Sequence, residues 1–213
     1  MPRPKLPAPT LVLYVRHGQT PSTGQILPGR APGLHLADKG RAQAEAAASR
    51  LAGLKRVDAV YSSPLERARE TAAPIARLRR VRVKVDRGLL ECDFGEWTGR
   101  NLRELMRLPE WRTVQRYPSG FRFPGGESFR EMAGRMADAA GRFRAVHPGQ
   151  VVVAVSHADP IKAAVADALG MHLDLFQRLN ISTCSVTAIA YGESGPSVLA
   201  VNHTGDLAAL APS

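Results

Sequence analysis

Three short polar clusters in this 213-residue chain combine residue types suited to holding and attacking phosphate. They are Arg16-His17-Gly18, Ser62-Ser63-Pro64 leading into Arg67, and Ser156-His157-Ala158-Asp159. A fourth, Leu90-Glu91-Cys92-Asp93-Phe94-Gly95-Glu96, adds carboxylates. Two imidazoles and two guanidiniums make an anion cradle, since the planar guanidinium fork matches phosphate oxygens two at a time. An imidazole with an unperturbed pKa of about 6.5 can attack phosphorus as a neutral nucleophile. A glutamate in a pocket of lowered polarity can hold a proton for the leaving oxygen. Together these groups describe phosphoryl transfer through a phosphohistidine.

Each cluster also has a plainer reading. His17, His157 and Arg67 could be satisfied structural residues, and Glu91 could be salt-bridged while Glu96 or Asp93 donates the proton. His17, His157 and Asp159 could be metal ligands, but no paired spacing on a helix supports that, so no metal is expected. Asp159 reads most simply as a helix N-cap. His35, His147, His172 and His203 read as surface or turn residues, and Met132 and Met136 as core.

The elements around the clusters bring them together. Residues 10–15 form a short apolar run of the kind buried parallel strands show, and residues 21–33, rich in Gly and Pro, form a loop. Ala and Leu at helical spacing predict a helix over 38–54, and Val57 to Tyr61 a second strand. Ser63, Pro64 and Glu66 offer an N-cap, a Pro at the first helical position and a capping-box glutamate for the next helix, with Arg67 in its first turn. There the positive end of the dipole also favours an anion. A strand over 81–85 and a basic, partly helical stretch over 100–120, interrupted by Pro109 and Pro118, come next. Ser128 to Glu131 is another capping box, opening an amphipathic helix over 129–146. Val151–Val155 is a strand, Asp159-Pro160 caps a helix to about Leu169, and strands near 184–191 and 197–202 close the sheet. Alternating strands and helices predict an α/β fold, a three-layer α/β/α sandwich with a mostly parallel central sheet. Ligands of such sheets bind beyond the carboxyl ends of the strands, where the clusters fall.

Composition narrows the remaining classes. With 44% hydrophobic and 23% charged residues the chain is globular, and its length suits one domain over residues 10–213 behind a flexible, proline-rich arm over 1–9. Two cysteines exclude a disulfide scaffold, and no run approaches the length of a membrane span. The opening residues carry no apolar core of a signal peptide, so a cytoplasmic protein is expected. The formal net charge is +10, with 24 arginines against five lysines; residues 1–144 carry +13 and residues 145–213 carry −3. Such an excess points to anionic partners: small phosphorylated metabolites, a membrane surface or nucleic acid. The cluster Arg77, Arg79, Arg80, Arg82, Lys84 and Arg87 favours nucleic acid. Against it stand the lack of a finger, basic zipper or RNA-recognition motif and an aromatic content of 6%. The basic residues could equally coat solvated helix faces.

Val15-Arg16-His17-Gly18, Ser62-Ser63-Pro64-Leu65-Glu66-Arg67-Ala68 and Ser156-His157 resemble the histidine phosphatase superfamily, in its phosphoglycerate-mutase-like branch. The similarity runs from about residue 10 to 203 with the motifs in the family's order. Gly29-Arg30-Ala31-Pro32-Gly33 and Val201-Asn202-His203 are similar to an actinobacterial-type group of phosphomutase and phosphatase proteins. The resemblance implies His17 as the phosphorylated nucleophile. It implies Arg16, Arg67 and His157 as the clamp on the transferring phosphoryl group, with Gly18 at the ligand, and Glu91 as proton donor. It implies no metal and no cofactor, the cationic side chains taking a magnesium ion's part. It also implies an inserted lid over about 92–127, whose Arg100, Arg103, Arg107, Arg112 and Arg116 could meet an acidic substrate. Two positions depart from the pattern: Thr23 stands where an asparagine usually touches phosphate, and Ala158 where glycine follows the second histidine. Cys92-Asp93-Phe94-Gly95-Glu96-Trp97 after the glutamate resembles the phosphatases, whereas mutases carry Arg-His-Tyr-Gly there. The expected activity is hydrolysis of phosphomonoesters of small metabolites. A phosphomutase is the alternative, and a basic nucleic-acid-binding or catalytically silent interaction module on the same fold is a second. Self-association as a homodimer stays open.

Overall fold

The computed structural model describes residues 8–205. Residues 1–7 of the expected arm lie outside the described residues. The sheet has six strands: β1 (Thr10–Arg16), β2 (Ala59–Ser62), β3 (Val83–Val85), β4 (Val151–Ser156), β5 (Val186–Gly192) and β6 (Gly195–His203). Their order is β3-β2-β4-β1-β5-β6. The four strands at one side are parallel, and β5 and β6 add an antiparallel edge, the mostly parallel sheet of the α/β class. Helices α1 (Asp38–Ala52), α2 (Glu66–Arg79), α3 (Leu102–Leu105), α4 (Pro109–Arg116), α5 (Phe129–Val146) and α6 (Ala158–Ala168) complete the chain.

Strand alternation divides the core into two layers. Leu11, Leu13 and Val15 of β1 point to the face covered by α1 and α2, where Leu51, Ala72 and Ile75 meet them. Val12 and Tyr14 point to the other face, against Met136 and Phe143 of α5 and Ile161 and Val165 of α6. β4, buried along its whole length, is apolar on both faces because helices cover both. A third cluster belongs to residues 92–127. Trp97 stacks on Trp111 with centroids 6.2 Å apart, and Phe94, Phe123, Phe129 and Phe176 continue the aromatic pile towards α5.

Two expected caps are corrected. Helix α2 begins at Glu66 rather than Pro64, with Leu65 in extended conformation as N-cap. Ser63 directly follows β2: its N–H donates to the Val155 carbonyl (2.9 Å), and its hydroxyl is engaged with His157. Asp159 does not cap α6. The N-cap is His157, and Asp159 instead accepts from Lys162 one turn on, at 3.2 Å. The Ser128–Glu131 capping box forms with both of its bonds.

Much of the arginine excess is spent on the protein's own backbone. Arg50 donates to the carbonyls of Cys184 (2.6 Å) and His203 (3.3 Å), Arg79 to those of Leu51 and Leu54, Arg130 to Ser119 and Arg41 to Leu36. Arg77, from the basic cluster, makes a two-pronged bond to the Glu45 carboxylate at 2.8 and 2.9 Å.

Helix α1 approaches the end of β1 so closely that neither backbone has room for a side chain. A Cβ on Gly40 would stand 1.9 Å from the Gln19 carbonyl oxygen, and one on Gly18 would stand 2.5 Å from that of Gly40. Gly134, mid-helix and exposed on α5, has nothing within 4 Å of the same position. Gly40→Ala is expected to cost about 1–3 kcal/mol through overpacking. Gly134→Ala should gain about 0.5–1 kcal/mol from helix propensity. Urea unfolding midpoints of the two variants should therefore move in opposite directions.

Candidate active site

Three adjacent parallel strands deliver the polar clusters to one level. Arg16 pairs with Ser156 across β1 and β4, and Ser62 pairs with Val155 across β2 and β4. His17, Ser63 and His157, each the next residue along, therefore emerge side by side. The His17 N–H donates to the Ser156 carbonyl at 3.0 Å, holding the first residue beyond β1 in register. The His17 and His157 rings lie 5.1 Å apart between centroids and are tilted by 59°.

Both imidazoles are buried, His17 at 6% exposure and His157 at 0%. Burial, and then the positive charges of Arg67 and Arg16, push His17 well below the ordinary imidazole pKa. Burial likewise drives His157 down, with Arg67 as the leading charge. A neutral His17 carries one ring proton, and its site is fixed: Nδ1 lies 2.7 Å from the Gly18 carbonyl, which can only accept. Nε2 is left with the lone pair. His157 Nε2 meets the Ser63 hydroxyl at 2.9 Å. That hydroxyl already accepts from the Leu65 N–H at 3.4 Å, so its own proton is available to Nε2, which places the imidazole proton on Nδ1.

The guanidiniums are held by carbonyls rather than carboxylates. Arg67, with 0% exposure, donates from Nη2 to Gly29 at 2.8 Å, and Arg16 donates from Nη1 to Ile181 at 2.6 Å. Arg67 Nε and Nη1, Arg16 Nε and His157 Nδ1 are buried with no partner among the described residues. Buried donors are nearly always paired, and four such nitrogens around one imidazole can together donate to an acceptor-rich anion.

Of the three carboxylates weighed in the sequence, Glu91 is the buried one. Its Oε1 accepts from the Cys92 N–H at 2.9 Å, and burial, with the Asp159 charge, raises its pKa to about 7 against the pull of Arg67 and Arg16. Asp93 is committed elsewhere, to Arg30 at 3.4 Å and to the Gly95 N–H at 3.1 Å, and Glu96 is exposed.

Gly18 and Thr23 each bond to a neighbour within the protein. The Gly18 N–H donates to Thr71 Oγ1 at 3.0 Å, and its missing side chain makes room for α1. Thr23 Oγ1 accepts from the Thr20 N–H at 2.8 Å and so closes its own loop. Ala158 is the first residue of α6, where a helix leaves N–H groups without intrahelical partners. Arg100, Arg103, Arg107, Arg112 and Arg116 are all exposed. Among the described residues no three His, Cys, Asp or Glu side chains converge as a metal-holding group.

One device was missed in the sequence. Arg30 Nε and Arg135 Nη2 both donate to the Glu91 carbonyl at 2.9 Å, and both guanidiniums pair with Glu127, at 2.9 and 2.7 Å. Arg135 adds bonds to the Gly88 and Leu90 carbonyls. This brace fixes the backbone from which Glu91 projects. Arg30 stood in the Gly29-Arg30-Ala31-Pro32-Gly33 stretch, but nothing in that stretch tied it to Glu91.

Comparison with known proteins places this geometry. The sequence matches the histidine phosphatase superfamily (branch 1) over residues 12–204. A bifunctional protein of Mycobacterium tuberculosis is 38% identical over 93% of this chain, which spans 55%, about half, of that relative's length. Phosphoserine phosphatase 1 of Hydrogenobacter thermophilus is 33% identical, over 83% of this chain and 85% of its own. Among solved structures, mycobacterial glucosyl-3-phosphoglycerate phosphatase superposes with a TM-score of 0.81 at 26% identity, covering 91% of this chain and 99% of that one.

Glu91 and the imidazoles pull stability in opposite directions with pH. The folded-state pKa of Glu91, about 7, lies above its ordinary 4.5, so its contribution is complete below the ordinary value and is lost as pH rises through 7. The buried imidazoles, shifted down, instead remove stability as pH falls below their ordinary value of 6.5. Glu91→Gln removes only the first effect. Relative to wild type, the variant should gain on the order of 3 kcal/mol between pH 5 and pH 8. Urea titrations at those two pH values measure the difference, and an equal offset at both would overturn the assignment.

Proposed function

Because this chain belongs to the histidine phosphatase superfamily, branch 1, we propose that it hydrolyses phosphomonoesters of small metabolites through a phosphohistidine on His17. The observation that carries the reading is the set of four unpartnered buried nitrogens on Arg16, Arg67 and His157. A phosphoryl group supplies the acceptor oxygens they lack, and in a site of low dielectric such donors act most strongly on the charge that builds up in transfer.

In the first step the His17 Nε2 lone pair forms a bond to phosphorus as the ester P–O bond breaks. Glu91, protonated near neutrality, gives its proton to the departing alkoxide. The Gly18 carbonyl steadies the ring by accepting from Nδ1–H, so the attacking nitrogen keeps its direction as charge develops. In the second step Glu91, now a carboxylate, takes a proton from water. That water's oxygen bonds to phosphorus, the P–N bond breaks, and phosphate leaves with Glu91 reprotonated. Arg16, Arg67 and His157 hold the three non-bridging oxygens throughout. Residues 92–127 serve as the lid beside the leaving group, within one catalytic domain.

Support for hydrolysis over phosphomutase activity comes from the braced Glu91 segment. Cys92, Phe94 and Trp97 are committed to the apolar core there. Cys92 and Phe94 occupy the positions at which the mutase pattern carries arginine and tyrosine.

Assays with a panel of phosphomonoesters in EDTA, scoring inorganic phosphate and isomerised product separately, test the proposal. Phosphate release is expected, and His17→Ala should abolish it; full activity in that variant overturns the phosphohistidine. Isomerisation without net phosphate release would reassign the protein as a mutase. Glu91→Gln should lower kcat/KM for alkyl phosphates by about 10²–10⁴-fold, and far less for 4-nitrophenyl phosphate, whose leaving group needs no proton. Equal losses on both substrates would remove Glu91 as the acid.

A further inference from the structure

Arg16 enters the phosphate cradle with one end of its guanidinium tied down. Its Nη1 donates to the Ile181 carbonyl at 2.6 Å, while its Nε has no partner among the described residues. The direction of that carbonyl therefore sets where the charge of Arg16 stands. The carbonyl belongs to a turn, residues 181–185, that also grips the Arg16 backbone. Cys184 N–H donates to the Arg16 carbonyl at 3.0 Å, and Arg16 N–H to that of Ser185 at 3.3 Å. Ser185 closes the turn with its N–H and its hydroxyl, both on the Ser182 carbonyl, at 3.1 and 2.8 Å.

The Ile181 carbonyl and the Ser182 N–H are the two polar ends of one peptide unit. In a planar trans peptide they point in opposite directions, so fixing one fixes the other. Ser182 N–H donates to Asn202 Oδ1 at 2.6 Å, on the side away from Arg16. The backbone of β6 is shaped for this bond. Between the Val186–His203 and Ala188–Ala200 pairs, Val201 and Asn202 together oppose Thr187, a bulge of the kind that re-aims a side chain. Asn202 sits at φ +56°, in the left-handed region that asparagine adopts more readily than most residues. Its own N–H donates to Thr187 Oγ1 at 3.2 Å. Arg50 ties the same two stretches together through the Cys184 and His203 carbonyls.

We infer that Asn202 is a positioning residue of the phosphate clamp. It holds the Ile181–Ser182 peptide, and through it the Arg16 guanidinium, at the angle at which Arg16 meets the transferring phosphoryl group. The inference rests on the reading of Arg16 as a clamp residue. Without the Asn202 acceptor the peptide plane can turn, and its carbonyl swings off Arg16 Nη1. A misplacement of about 1 Å in such a group can cost about 10²-fold in rate.

Two substitutions separate the bond from the backbone. Asn202→Gly keeps the left-handed conformation and removes the acceptor, whereas Asn202→Asp keeps both. Calorimetric affinity for inorganic phosphate and kcat/KM for 4-nitrophenyl phosphate compare them. Asn202→Gly should weaken phosphate binding by about 10-fold and lower kcat/KM by about 10–100-fold. Asn202→Asp should stay within about 3-fold of wild type in both measurements. In an Arg16→Ala background, Asn202→Gly should cost less than about 2-fold further in phosphate affinity, because the peptide then has no guanidinium to hold. Phosphate titrated into the wild-type protein should also shift the Ser182 amide resonance, a readout that needs no variant to fold. A loss in Asn202→Asp as deep as in Asn202→Gly, wild-type affinity and activity in Asn202→Gly, an equal cost without Arg16, or an unmoved Ser182 amide would each overturn the assignment. A wild-type protein that binds phosphate but releases none from the ester, with Asn202→Gly still weakened for phosphate, would overturn the hydrolytic reading and uphold the role of Asn202.

Discussion

Two guanidiniums, Arg67 buried and Arg16 partly so, stand beside two imidazoles with no carboxylate paired to either among the described residues, and the protein is organised around them. Removing a charge from water is costly unless it is paired, and the usual partner of a buried arginine is an acid. Here Arg16 and Arg67 rest on the Ile181 and Gly29 carbonyls, and burial lowers both of their pKa values. Glu91, the buried carboxylate nearby, is itself drawn towards the protonated form. The centre therefore carries positive charge that the carboxylates around it offset only in part. Strands buried on both faces and a rigid glycine-to-glycine contact at α1 must hold it together.

Arginine's dual use explains how so basic a chain stays folded. A guanidinium has five donors in a fixed fork, so one side chain can tie several carbonyls at a loop or helix end. Arg50, Arg79 and Arg135 do so at separate corners of the fold. Lysine, a point charge on a flexible stem, could not make the same multiple bonds. The excess that first suggested a polyanionic partner is in large part internal scaffolding. Arg16 and Arg67 differ because their free donors lie beside the two imidazoles.

The strands and their polar ends were legible because each rests on a local pattern: an apolar run followed at once by Arg-His or Ser-His. The helix starts at Ser63 and Asp159 were misread. Capping signals assume that a side chain competes only for nearby backbone, and Ser63 found His157, 94 residues away, instead. The packing role of Gly18 was not legible because its close neighbour, Gly40, belongs to another element. Arg30 and Arg135 were invisible as supports of Glu91, since they bind its carbonyl oxygen, a group every residue has.

The Arg30–Glu127–Arg135 brace has a consequence for how such a protein can diversify. Glu127 N–H donates to the Asp93 carbonyl at 2.9 Å, its carboxylate accepts from Asp93 N–H at 3.1 Å, and Glu96 N–H donates to Pro124. Residues 93–127 thus leave and return through one clasped stem, which shares its ion pairs with the segment bearing Glu91. Lengthening or replacing the excursion between the clasps adds little closure entropy, about 0.6 kcal/mol for a doubling of its length. The stem works as a socket: the insert can be exchanged and the chemistry stays seated, so new leaving-group preferences can be grafted without rebuilding the phosphoryl centre.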